Sequence, residues 1–142
     1  MSVNLTQRAD ASLGLQGPDG DAGAFIYVNI PYTTATPLVL SACTLPRRCV
    51  VQSITLVPDT ASTNAVTVTC YKAPSATALG SGTALHSGTG NLQGTAATTQ
   101  TLTLSTTASV IDVAAGNRIG AVVSGALGAA GSGVITIALN PA

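Results

Sequence analysis

Few side chains in this 142-residue chain are equipped for chemistry, and their spacing argues against most of it. His86, in Ala84-Leu85-His86-Ser87-Gly88, is the only imidazole. Any of twelve serines could be paired with it as nucleophile and base, but no Gly-x-Ser-x-Gly elbow presents one. The expectation is a histidine in a surface loop, with no catalytic residue assigned; a hydrolase on a β-scaffold would rest on His86 alone. Asp19-Gly20-Asp21, with Asp10 nearby, has the acids of a calcium loop but not its further ligands or its closing glutamate, and the chain contains no glutamate. Turn-forming aspartates are the better account. Cys43, Cys49 and Cys70 are an odd set without Cys-x-x-Cys spacing, which argues against zinc. They read as small buried apolar residues in a reducing compartment, with a bridge between Cys43 and Cys49 across a hairpin as the alternative. Gly14 and Gly17 do not lie between a strand and a helix, so no phosphate cradle is expected. No metal or cofactor is assigned.

The basic residues are as sparse. Arg47 and Arg48 are the only adjacent like charges, at the tip of a turn that either docks against acidic groups of a partner or is simply solvated. Arg118 is expected to have a structural role, pairing with Asp112. Five Lys+Arg against five aspartates gives no net charge, which argues against a nucleic-acid partner.

The elements that must position these groups follow from composition and period. Alanine (23), threonine (21), glycine (15) and serine (12) make up half of the chain. With one lysine and no glutamate, soluble amphipathic helices lack their usual polar face, while threonine and valine favour strands. No apolar run is long enough to span a membrane, and the N-terminus has no basic start followed by an apolar stretch, so neither a spanning helix nor a secretory signal is expected. At this length one domain is the default, burying roughly 70% of the unfolded chain's surface.

Residues 1–24 show no strand or helix period and hold Arg8, Asp10, Asp19 and Asp21, four of the ten charges. They read as an extended N-terminal arm preceding a β-sandwich domain, 25–142. From Ala24 the chain alternates between β-like runs and turn clusters. Ala24–Ile30 places Ile26, Val28 and Ile30 on one face and Phe25, Tyr27 and Asn29 on the other. Leu38–Ala42 and Cys49–Val57 follow, with a bulge expected near Val51-Gln52 because Gln52 falls on the Ile54 face. Ala65–Tyr71 alternates most cleanly, with Val66, Val68 and Cys70 inward and Tyr71 outward. Lys72–Thr98 reads as one weak strand and two loops. Gln100–Ser105, Val110–Val113, Asn117–Ser124 and Gly133–Leu139 complete eight or nine strands. The fold class is all-β, an antiparallel β-sandwich or jelly-roll-like domain.

Four aromatics are present, and if the isoleucine face of the first strand is core, Phe25 and Tyr27 need a cover. A neighbouring subunit supplies one, and a second sheet of the same chain is the alternative. Low charge and lysine-poor edges suit a protein whose working state is an assembly. Phe25, Tyr27 and Tyr71 are therefore candidates for subunit packing.

The polar arm, the compact Thr/Ala/Gly-rich β-domain and the string Val113-Ala114-Ala115-Gly116-Asn117-Arg118-Ile119-Gly120-Ala121-Val122-Val123-Ser124-Gly125 together resemble small structural proteins of tailed bacteriophages, above all head decoration (cement) proteins. That resemblance implies a non-enzymatic virion protein, commonly a homotrimer, made in the host cytoplasm and bound to the capsid exterior. Its partner would be the major capsid protein, with no nucleic acid and no membrane. Capsid-contact candidates are Arg8, Asp10, Asp19, Asp21, Arg47 and Arg48. The competing function is a receptor- or glycan-binding module of a tail fibre or adhesin.

Overall fold

Valine and threonine alternating at period two leave each strand with one apolar face, and such faces are stable only when paired. A computed structural model of the protein describes residues 25–142, and the expected arm lies outside them. Two five-stranded antiparallel sheets enclose one core. The first runs β1 (Ile26–Thr33), β10 (Ser132–Pro141), β3 (Cys49–Thr60) and β7 (Gln100–Thr101), with β8 (Asp112–Val113) also on β3. The second runs β2 (Val39–Thr44), β9 (Arg118–Val123), β4 (Thr67–Ala73) and β5 (Thr83–Ala84), with β6 (Gly90–Asn91) also on β4. Among the described residues the only helical pieces are a 3-10 turn, Leu79–Ser81, and a single α-turn, α1, Ala108–Ile111.

The inward faces interdigitate. Ile54, Leu56, Ile135, Ile137 and Leu139 of the first sheet meet Val68, Cys70, Ile119 and Ala121 of the second, all at 0% exposure. Each large aliphatic among them contributes about 1.5–3 kcal/mol on burial. The expected bulge lies at Gln52: Ala138 faces Ser53, Leu139 faces Val51, and Gln52 is skipped. The extra residue lets Val51 and Ile54 both point inward while Gln52 projects into solvent.

The segment 110–113 departs from its expected strand. Only Asp112 and Val113 pair, opposite Val50 and Cys49, while Val110 and Ile111 wind back onto the Thr107 carbonyl. Lys72 holds that turn, its Nζ donating to the carbonyls of Ser109 (2.7 Å) and Asp112 (2.5 Å). Lys72–Thr98 contains two two-residue strands and the 3-10 turn in place of one weak strand.

Tyr32 on β1 faces Gly133 on β10, and a Cβ at residue 133 would stand 2.6 Å from the Tyr32 hydroxyl and 2.4 Å from the Val57 carbonyl. Glycine is therefore required for the ring to lie across the strand. The Tyr32 hydroxyl is buried with no partner among the described residues, and burial, then Asp59, pushes its pKa up to about 12. An orphaned buried hydroxyl costs about 1–3 kcal/mol. Tyr32→Phe should accordingly leave stability unchanged or raise it by up to about 3 kcal/mol in chemical denaturation; any clear loss, above about 0.5 kcal/mol, would show that the hydroxyl is paired.

Candidate functional site

β1 and β2 are consecutive in the chain and lie at the rims of opposite sheets, each paired on one side only, to β10 and β9. The sandwich therefore has one lateral margin made of two neighbouring edge strands. Their inward residues, Ile30, Tyr32 and Leu40, belong to the core. The exposed large hydrophobics of the domain lie on these strands or next to them: Phe25 (47%) just before β1, Ile26 (36%) and Tyr27 (62%) at its start, Leu38 (46%) just before β2 and Val39 (48%) at its start. The Phe25 and Tyr27 rings meet edge to face, centroids 6.1 Å apart at 63°, a geometry that favours aromatic contact. Between the two strands runs a groove of about 360 Å³, walled by Asn29–Pro31 on one side and by Pro37 and Val39–Ala42 on the other. From residue 22 to residue 46 the sequence carries no charged side chain.

The condition attached to Phe25 and Tyr27 is met in part: Ile30 is core and Val28 packs against it while Ile26 is exposed, and both rings are exposed among the described residues. Tyr71, the third packing candidate, is half-buried on β4 of the other sheet, so it does not join them. Leu38 and Val39, exposed at the start of β2, were missed by sequence reasoning.

Arg47 and Arg48 are exposed on the connection between β2 and β3, beside the turn 114–117. Leu45 N–H donates to the Asn117 carbonyl and Gly116 N–H to the Leu45 carbonyl. Arg48 grips Asp112 in a bidentate fork, Nε and Nη2 at 2.7–3.1 Å from the carboxylate. The fork holds the Asp112 carboxyl below its ordinary range. The expected Arg118–Asp112 pair is therefore replaced: Val50 lies opposite Asp112 in the ladder, which brings Arg48 to it, while Arg118 donates to the Thr77 carbonyl. Arg8, Asp10, Asp19 and Asp21 lie outside the described residues.

His86 corrects its expectation. It is 5% exposed rather than in a surface loop, bridged to Leu104. Its Nε2 accepts the Cys70 N–H at 2.9 Å, which assigns the proton to Nδ1, 3.2 Å from the Ser87 carbonyl. Both ring nitrogens are engaged with backbone. Cys49 and Cys70 are buried and Cys43 half-buried, all as free thiols, with burial raising each pKa. Among the described residues no group of three His, Cys, Asp or Glu side chains could hold a metal ion, and no helix is long and apolar enough to cross a membrane.

No protein-family model matches the chain, and neither a curated protein nor a solved structure is similar to it. Function rests on the residues and the geometry.

Proposed function

We propose that the protein is a non-catalytic structural component of a tailed-bacteriophage virion, a homotrimeric decoration protein that binds the outer capsid surface and cements the shell. The observation that supports this reading is that the domain's exposed large hydrophobics all lie on or beside the two edge strands β1 and β2, in a stretch of sequence without charge, where a neighbour in an assembly could cover them. The strand order supports it. β1-β10-β3-β7 facing β2-β9-β4-β5 fits a jelly roll, an arrangement that recurs in viral capsid and lectin domains. The mechanism is passive: each copy buries on the order of 800 Å² against each partner, and many copies sum to a stiffer shell.

The arm, 1–24, and the Arg47-Arg48 turn are the shell contacts in this reading. In that turn Arg48 is already paired with Asp112 at the surface. The test is the occupancy of expanded heads, prepared from a phage lacking the gene, after incubation with full-length protein or with a deletion of residues 1–20. The deletion is expected to lower occupancy at least tenfold. Unchanged occupancy removes the arm, and full-length protein that binds a glycan array but not heads replaces the reading with the receptor-binding one.

A further inference from the structure

We infer that the acidic stretch ahead of β1 docks on the basic end of its own sandwich, setting Asp19 and Asp21 against the Arg47-Arg48 turn. The inference concerns the free subunit and does not rest on the decoration reading, although it brings the two shell contacts of that reading onto one face. The chain's zero net charge hides a division. Residues 1–24 hold Asp10, Asp19 and Asp21 against Arg8, whereas 25–142 hold Arg47, Arg48, Lys72 and Arg118 against Asp59 and Asp112. A net charge of −2 thus faces one of +2 across the boundary.

The fold gathers all four of those cations at one end. Arg118 faces Thr44 of β2 and Ala73 of β4, which sets it next to the 45–48 connection and beside Lys72. Lys72 in turn reaches the Asp112 carbonyl, and Arg48 holds the Asp112 carboxylate. Asp59 lies at the opposite end of β3, next to Thr60, which faces Ser132. Among the described residues the basic end therefore has one acidic side chain, Asp112, for four cations.

The acidic stretch enters at this same end. Ile26 at the start of β1 faces Leu139, Cys49 faces Pro141, and the Ala142 N–H donates to the Arg48 carbonyl at 3.0 Å. β1 and β3 flank β10, so the entry to β1 and Arg48 lie about 10 Å apart across the sheet. Asp21 is five residues ahead of Ile26 and Asp19 seven, which gives them reaches of about 17 and about 24 Å. Both can lie over the turn. Exposed ion pairs are individually weak, but a tethered segment meets its surface at the high effective concentration set by a short linker. An acidic partner from outside has no such advantage. Screening gives the contact its signature: it holds at low salt and is lost at high salt.

Endoproteinase Asp-N, which cuts ahead of aspartate, tests this on the full chain, because its sites at Asp19 and Asp21 are the residues held. At about 10 mM salt, Arg47→Glu/Arg48→Glu is expected to be cut there roughly threefold faster than wild type or more, and at about 500 mM the difference should vanish. Arg47→Glu alone, which leaves the Arg48–Asp112 pair in place, should show about a twofold rise and serves if the double variant disturbs the circular dichroism spectrum. Ala129→Glu, exposed in the turn between β9 and β10 at the opposite end, should be cut as the wild type is. Equal rates in wild type and the arginine variants at low salt would overturn the inference. So would a wild-type rate that falls as protein concentration rises, which would place the segment on another copy. Head occupancy is a separate readout, and its failure overturns the decoration reading alone.

Discussion

Lowering the pH from 8 to 5 is expected to cost the fold up to about 2 kcal/mol through His86, and His86→Gln is expected to remove that loss. Burial pulls the His86 pKa below its ordinary 6.5, with the Ser87 carbonyl acting in the opposite direction. The unfolded chain therefore takes up the proton first as pH falls. Stability from this group is fully present above about pH 6.5, declines below it, and stops declining once pH passes the lower folded value. The cause is specific: a protonated ring has two donors, and the Cys70 N–H would then point at N–H instead of at a lone pair. Ala84, Ser87, Thr103, Leu104, Ser105, Thr106 and Val110 around the ring carry no charge to compensate, and its other titratable neighbour, Cys70, stays a neutral thiol. Glutamine can accept the same N–H without titrating. Denaturant midpoints at the two pH values give the test, and parallel losses in wild type and His86→Gln would show that another group is responsible. Asp112, held low by Arg48, acts only below the ordinary carboxylate range, so its window is separate. A histidine with both nitrogens tied to backbone also predicts that His86→Gln leaves head binding intact.

Gly120→Ala is the second large effect. Gly120 lies in the middle of β9, between Ser41 of β2 and Tyr71 of β4. A Cβ there would stand 2.3 Å from the Leu40 carbonyl oxygen, 3.0 Å from the Ser41 Cα and 2.7 Å from Leu79 Cδ2. The leucine can rotate away, but the two backbone atoms can yield only by separating the strands, at a cost of about 3 kcal/mol, the upper end for overpacking. That is a large share of the 5–15 kcal/mol holding a domain of this size. Thermal or denaturant unfolding would measure it, and a loss under about 0.5 kcal/mol would mean that β2 and β9 are more loosely paired than their register indicates. Gly120 belongs to the string that carries the resemblance to decoration proteins, and the contact supplies a physical reason for a small residue there.

Much of the scaffold was legible because period two survives wherever a strand is long. Val66, Val68 and Cys70 announced the inner face of β4, and the phase change at Gln52 announced the bulge. β5, β6 and β7 have two residues each, too few to display any period. His86 was misplaced because its burial is set by the Cys70 amide sixteen residues earlier, while its immediate neighbours, Ser87 and Gly88, look like a surface turn. The Arg48–Asp112 fork spans sixty-four residues and follows from strand register, which no local pattern encodes. Of the margin, Phe25 and Tyr27 were visible as aromatics opposite an isoleucine face. Leu38 and Val39 were not, because alternation tells which way a side chain points and not whether the strand beyond it exists.

The pairing of β1 with β10, Ile26 opposite Leu139, also sets a clock. A ribosome adding about 5–20 residues per second needs on the order of ten seconds to bring the last strand out after the first. Throughout that interval β1 has no ladder to join, and the first sheet cannot close around its central strands. Non-local pairing of this kind is slow to form and leaves little to be gained from partial structure. The first sheet therefore closes only once β10 has been made, and the edge that β1 forms beside β2 comes into being last.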